Sequence, residues 1–576
     1  MKKLLLATAV VVAAGTAGYL YQKSVIQDTS DSLLAQVPAD SLMVAYQTEA
    51  FNHYEFLNAF GVTSQGSIAE LFALQQLTPQ QAFVLNLLDG YLESAASPES
   101  LKAYFGTGDS INPLFYTLGL VPVYKLPIES PAALWKTLDH QELMNGVTHE
   151  KARLGTVEYR RYELTDAADP QNGIGLVVAV VDNVLTITVD VPKLGEQNPL
   201  AMAFGLEAPA VSLADTDRLK ALQDKYGENN NSFGYVDHRE IIKGLTTRDG
   251  NLLAQQLSRI EPDPELEQLR SPACHREFTQ IGQHWPQSVA FMEYQMGQGQ
   301  PSVKGSFVIE SSNRVILDAL KSLRGVLADS NSDESFLSLA LGVDITKLAP
   351  AIGTIWMDLA APQYQCPMLA QMQGDMREFN PTASVQLGAG MLNGLKGLGM
   401  ELFDIYVDSN TAYGESFEQL DALLTVSASD PNTLLQSAQL LVPELAQLPI
   451  KPDNQPVNVS GLFNQYSGMS MDVFVRMNDA HLTIYSGEKA GKASEQVMAH
   501  PLTPNGLLSF KMDSERILEV MQSTSEVTGE PVPEDVALSL QQGFVGGMTL
   551  DVTEDGIAFG IDYQAATGKK AEVAQQ

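Results

Sequence analysis

The sequence predicts an α+β fold of duplicated antiparallel β-sheet units with packed helices, preceded by one N-terminal signal or anchor helix. Three observations predict it. The stretch Val177–Asp190, VVAVVDNVLTITVD, and the later stretch VFVRMNDAHLTIYSGE (473–488) share one plan. Each is an apolar strand, an Asp/Asn turn and a second strand holding Leu-Thr-Ile, which is a β-hairpin pattern. Upstream, Glu129-Ser130-Pro131-x-x-Leu134 resembles Ser429-Asp430-Pro431-x-x-Leu434, at nearly the same interval along the chain. Two matched segments at one interval point to two related halves. Finally, 44% hydrophobic residues in a chain of 576 supply enough apolar material for several packed cores.

At the start, Met1-Lys2-Lys3 precedes the apolar run Leu4–Leu20. As a helix at ~1.5 Å per residue the run would reach roughly 25 Å, slightly short of a ~30 Å hydrocarbon core. A positive start and an apolar stretch form an export pattern, with the lysines left in the cytoplasm. Residues 1–21 are therefore read as a signal peptide or an uncleaved inner-membrane anchor, and 22–36 as a tether. The rest is expected in the periplasm. The first α+β half is placed at 37–327, a polar linker at 328–335, the second half at 336–565 and a disordered tail at 566–576.

Within the first half, Ser41 to Gln47 reads as a strand and Asn52 to Leu77 as helical. Thr78-Pro79 and Ser97-Pro98 are helix starts, with a hydroxyl cap followed by proline at the first helical position. Phe115 to Leu126 reads as one strand, and Ser130-Pro131 opens another helix. Val157 to Leu164 alternates and joins the 177–190 hairpin in a meander. Ser288 to Glu310 reads as a hairpin, and Ser312 to Val326 as an amphipathic helix. A strand–Asp–helix phrase occurs at Asp237, Asp344 and Asp513. Aspartate oxygens accept from the free amides of a first helical turn, so these three are read as caps rather than catalysts.

The chemistry legible in the residues is sparse. The net charge of −34 argues against a broad nucleic-acid surface. The two cysteines, Cys274 and Cys366, are an even count in an exported chain and are expected to form one disulfide joining the halves. Each is read as preceding a helix, a proline and a strand, the second strand being Ala383 to Leu387. Asp329-Ser330-Asn331-Ser332-Asp333 copies the first ligands of an EF-hand loop. Glu334 and Ala340 stand where such a loop has Gly and Glu, so no metal is expected. The scattered histidines give no zinc spacing, and no cofactor motif or catalytic residue is assigned.

Tyr159, Arg160 and Arg161 form a small basic–aromatic patch in an acidic chain, a candidate for an anionic ligand. Two stretches are methionine-rich. Met368, Met372 and Met376 would share a helix face, and Met391 to Met400 could line a pliable apolar groove. Tyr159, Arg160, Arg161, Met391 and Met400 are thus the candidate ligand-binding residues.

The short N-terminal signal or anchor, the opening Val37-Pro38-Ala39-Asp40-Ser41 and the repeated hairpins resemble an uncharacterised envelope protein family of Gram-negative bacteria with a duplicated α+β periplasmic region. The resemblance covers most of the chain and implies no catalytic residues. The expected function is non-enzymatic binding or scaffolding in envelope maintenance, with an unknown envelope protein or an apolar ligand as partner. The alternatives are a periplasmic lipid carrier and a hydrolase whose site is assembled from distant residues.

Overall fold

The structure is a computed structural model that describes residues 33–59, 78–165, 173–260, 263–296, 301–328, 330, 334–378, 381–408, 416–467, 471–533, 536–537, 540–541 and 543–565. The N-terminal apolar run, most of the 22–36 tether, the EF-hand-like aspartates and the 566–576 tail lie outside these residues. Packing divides the chain into two compact units. Unit 1 runs through Pro301 and includes Tyr364–Leu369; unit 2 is Ser302–Gln363 and the chain from Ala370 onward. The mixed helix and antiparallel strand content makes the fold α+β, as the sequence predicts.

Unit 1 is built on β1 (Met43–Gln47), β4 (Leu114–Leu118), β5 (Val121–Pro127), β6 (Glu150–Leu154), β7 (Val157–Glu163), β8 (Gly175–Val181), β9 (Val184–Asp190), β10 (Ser232–Asp237) and β11 (Gln287–Gln295). These pair antiparallel in the order β11-β10-β1-β4-β5-β9-β8-β7-β6. A two-residue ribbon joins β2 (Phe51–Asn52) to β3 (Ser110–Ile111). Helices α1 (His53–Ala59), α2 (Pro79–Ser94) and α3 (Pro98–Phe105) lie between β2 and β3, and α4 (Pro131–Asn145) follows β5. Next come α5 (Leu200–Ala203), α6 (Arg218–Tyr226), α7 (His238–Thr246), α8 (Leu252–Leu257), α9 (Pro264–Leu269) and α10 (Pro272–His284).

The local signals read from the sequence account for many boundaries. Thr78 and Ser97 both cap their helices, each accepting from the amide three residues on. Asp182 and Asn183 turn the β8–β9 hairpin with φ of 49° and 61°, the left-handed pair that a tight two-residue hairpin requires. The stretch from Phe115 to Leu126 is two strands rather than one. Gly119, at φ 60°, and Leu120 reverse the chain between β4 and β5, a turn hidden by the apolar residues around it.

Unit 2 contains β12 (Ser302–Glu310), β13 (Leu337–Leu341), β14 (Leu395–Asp408), β15 (Ser416–Ala428), β16 (Val457–Asn458), β17 (Phe474–Met477), β18 (His481–Ser486), β19 (Leu508–Asp513), β20 (Phe544–Val552) and β21 (Gly556–Ala565). Their antiparallel order is β12-β21-β20-β19-β13-β14-β15-β18-β17-β16. The helices are α11 (Arg314–Ser322), α12 (Ile345–Ala360), α13 (Pro367–Glu378), α14 (Thr382–Met391), α15 (Pro431–Leu441), α16 (Ser460–Ser467), α17 (Glu488–Met498) and α18 (Ser514–Thr528). Ala383–Leu387, expected as a strand, lies inside α14. Its short alternation fits either element, and its flanking small residues extend the helix. Of the polar stretch 328–335, only 328, 330, 334 and 335 are described. Ala328 is buried, and Ser330 donates from both its amide and its hydroxyl to the buried Glu401 carboxylate.

One core of unit 2 packs α17 against the sheet, with Ala490, Ala493 and Val497 on Phe403, Leu423 and Tyr485. The α17 N-terminus is capped from a distance. Its cap position is Gly487 at φ 91°, which has no side chain to offer. Asp421 on β15 supplies the oxygens instead, accepting from Lys489 N at 3.0 Å and Ala490 N at 2.7 Å. A Cβ on Gly487 would sit 2.2 Å from the Asp421 carboxyl carbon, so the glycine makes room for the cap. Asp421→Ala should therefore cost about 2 kcal/mol of unit 2 stability, read as a lower urea midpoint. Asp421→Asn, which keeps one acceptor, should recover part of the loss.

Candidate functional site

All three aspartates of the strand–Asp–helix phrases are helix caps. Asp237 accepts from Arg239 N and Glu240 N, Asp344 from Thr346 N, and Asp513 from Arg516 N. Burial alone would raise the Asp237 carboxyl, but the Arg239 hydrogen bonds and the Arg218 and Arg239 charges hold it below the usual range. These groups are consumed by structure. Among the described residues no group of three or more His, Cys, Asp or Glu could hold a metal ion.

The strongly shifted bases are likewise interior. Burial drives the His53 imidazole down to about 3 and the Lys125 ammonium down to about 8. His53 Nε2 bonds the Tyr91 hydroxyl, and Lys125 Nζ donates to Gln36 Oε1 at 2.7 Å. Both side chains are almost fully buried.

The basic–aromatic patch separates by strand alternation. Arg160 faces α4, where it lies 4.9 Å over the Trp135 ring and pairs with Asp139 at 2.7 Å and Glu142 at 2.8 Å. Glu142 also accepts from Tyr162 Oη at 2.7 Å and bonds His149 Nδ1 at 2.8 Å. Burial, then the Glu142 carboxylate, push the Tyr162 phenol far above its ordinary value. Arg161, on the opposite face, pairs with Asp190 at 2.7 Å and Glu163 at 2.9 Å. Both guanidinium groups are thus occupied by carboxylates. Tyr159 and Arg160 nevertheless line a cleft of about 990 Å³ at the β6–β7 end of unit 1. Sequence reasoning missed its other lining residues, Trp135, Lys151 and Arg153, because α4 and β6 come together only through the fold.

Cys274 and Cys366 form the expected disulfide. Both are fully buried, with Phe278, Ile281, Tyr364 and Leu369 around them. Since Tyr364–Leu369 belongs to unit 1, the bond lies within that unit. Met368 packs at this cluster, whereas Met372 is exposed.

Met400 occupies a more informative place. Register in unit 2 aligns apolar residues across neighbouring strands. One transverse row is Leu424, Met400, Leu339, Phe510, Met548 and Ile561. The next is Val426, Leu398, Leu341, Leu508, Leu550 and Phe559, ending at Phe307 on β12. Toward β17 this face is covered, with Leu435 of α15 packed near Val426 and Ile484. Elsewhere it is open. Leu339, Leu341, Leu398, Leu424, Met548, Phe559 and Ile561 are all 41–54% exposed. So many exposed large apolar side chains on one face mark an interaction surface, since soluble monomers rarely leave extended apolar patches open. Met391 ends α14 shortly before β14, and its side chain lies outside the described residues.

No helix among the described residues is long and apolar enough to cross a membrane. Comparison with protein-family models, curated proteins and solved structures finds no match.

Proposed function

We propose that the chain is an exported, membrane-tethered binding protein of the bacterial envelope, built from two related α+β units, whose unit 2 takes up acyl chains. The open apolar face of unit 2 carries this reading. Its two rows contain no charged residue, because the alternation that places Met548 and Ile561 on this face sends Lys304, Lys511 and Asp562 to the other. From β15 to β12 the longer row crosses six strand spacings of ~4.8 Å, roughly 29 Å, enough for an extended acyl chain. The residues that carry most of the binding energy in protein interfaces are enriched in Trp, Tyr and Arg. These two rows hold none and consist of Leu, Ile, Val, Met and Phe, a lining suited to a featureless hydrocarbon. The export pattern at Leu4–Leu20, as an anchor, would hold the chain at a membrane.

Strand order supports the related units. Unit 1 reads β11-β10-β1-β4-β5-β9-β8-β7, and unit 2 reads β20-β19-β13-β14-β15-β18-β17-β16. In both, the first strand pairs with the hairpin that follows it. In both, the Leu-Thr-Ile strand returns beside that hairpin, with Thr186 opposite Lys125 and Thr483 opposite Thr425. A later strand then returns to the far side of the first and ends in a capping aspartate, Asp237 or Asp513. In this frame the cysteines are not equivalent. Cys274 lies between β10 and β11, which match β19 and β20, whereas Cys366 lies between β13 and β14.

Leu339→Glu with Met548→Glu should weaken binding of a fluorescent sixteen-carbon fatty acid to the full-length protein at least tenfold. Both positions are exposed, so the variant should keep its urea midpoint. Unchanged affinity in the folded variant would sink the acyl-chain reading. So would a homodimer in sedimentation that the same substitutions dissociate, since a second copy would then be the natural cover of the face.

A further inference from the structure

We propose that the cleft at the β6–β7 end of unit 1 binds an anionic saccharide, its ring beside Trp135 and its phosphate or carboxylate on Lys151 and Arg153. The inference does not depend on the reading of unit 2. At about 990 Å³ the cleft is within the range of small-molecule sites. Trp135 stands in the second turn of α4 and is held by the Arg160 guanidinium 4.9 Å from its ring centre. Arg160 is itself fixed by Asp139 and Glu142, so the aromatic wall is braced by ion pairs that a ligand need not disturb.

Lys151 and Arg153 lie two residues apart on β6 and therefore project to one side of the sheet. Both line the cleft, both are exposed, and neither has an ion-pair partner among the described residues. Lysine on an edge strand can serve simply to discourage pairing with another chain, and β6 is such an edge. That role explains neither the arginine beside it nor the tryptophan across the cleft. In a chain with 69 acidic against 35 basic residues, carboxylates are abundant, yet these two cations are left open. Glu158, opposite Arg153 on β7, lines the cleft without forming an ion pair to it.

The remaining lining groups suit a polyol. Glu158 and Asp182 are acceptors, and Asn183 is both donor and acceptor. Carboxylates in the lining disfavour a bare polyanion but can accept from hydroxyls. A ring with apolar C–H faces, several hydroxyls and one anionic group uses every element present. That description fits a sugar phosphate or a uronic acid.

The test is tryptophan fluorescence of the full-length protein carrying Trp285→Phe and Trp356→Phe, which leaves Trp135 as the reporter. Glucose 6-phosphate or glucuronate should change the emission saturably, and the better of the two identifies the anionic group. Glucose and inorganic phosphate, each supplying half of the recognition, should bind at least tenfold more weakly. Lys151→Glu with Arg153→Glu should weaken the better ligand at least tenfold without changing the urea midpoint, because both side chains are exposed. Raising salt from 0.05 to about 0.5 M should also weaken it, as expected for exposed charges. Equal binding of inorganic phosphate or of glucose overturns the saccharide-anion assignment. No saturable change with either anionic sugar, or full affinity in the double variant, overturns the site itself.

Discussion

Replacing Cys274 and Cys366 together with alanine is expected to lower the stability of unit 1 by about 4.6 kcal/mol, the value for a closed loop of this length in the chain-entropy treatment. The bond joins residues 92 apart, so its removal frees a large stretch of the unfolded chain. In the folded state the junction also has a small apolar cluster, the Arg276–Gln365 hydrogen bond and one carboxylate. Buried Glu277 accepts from Gln365 N and Cys366 N, each at 3.0 Å, and so tethers the backbone beside the bond. Glu277→Gln should therefore cost about 1–2 kcal/mol, because an amide offers only one acceptor where two amides need satisfying. Urea unfolding of the parent without reductant, the parent with reductant and the alanine pair separates these terms. The last two curves should coincide, well below the first. A loss under about 1 kcal/mol would mean that the Tyr364–Leu369 segment is held by packing and Glu277, with the bond nearly incidental.

How much of this architecture the residues disclose depends on the distance between cause and effect. The Asp182-Asn183 turn, the Thr78 and Ser97 caps and the three capping aspartates are local, with cause and effect within a few residues. They are legible without a structure. The Asp421 cap on α17 is invisible for the opposite reason, since its acceptor and its amides come from different elements. Tyr159, Arg160 and Arg161 stand together in sequence, yet alternation sends the two arginines to different carboxylates. The cations left open in that cleft, Lys151 and Arg153, carry no mark in the sequence that separates them from other surface charges.

Leu337, Leu339 and Leu341 alternate as core residues of a half-buried strand should. Nothing in that pattern reveals that their face of the sheet is left open, because periodicity reports which side is apolar and not what covers it. The same gap explains Met400, whose sequence neighbourhood suggests a pliable groove but whose row partners arrive from β13, β15, β19 and β20 only through register.

The second large effect expected is an acid sensitivity of unit 1 that His53 imposes. Its side chain is enclosed by Phe51, with ring centres 6.0 Å apart, and by Tyr91 at 5.4 Å. Nε2 is bonded to Tyr91, while Nδ1 has no partner among the described residues, so a proton arriving there would be a buried charge unpaired by any of them. Burial accordingly lowers the imidazole to about 3, against about 6.5 in the unfolded chain. Between those values the unfolded state holds the extra proton. Stability is thus complete above about pH 6.5 and falls as pH drops toward 3. The slope is about 1.4 kcal/mol per pH unit, or roughly 3 kcal/mol lost by pH 4.5. Other groups titrate in the same unit. Asp40, raised by burial and by Glu240, works in the opposite direction near its own shifted value, and Asp237, held low by its arginines, adds to the loss only at still lower pH. The difference between the parent and His53→Phe cancels both. Phenylalanine keeps an aromatic ring beside Tyr91 and cannot accept a proton, so the gap between the two proteins should close, or reverse, as pH falls from 7 to 4.5. Parallel stability curves across that range would show that the imidazole meets its proton without unfolding its surroundings, and that acid acts on unit 1 through its carboxylates alone.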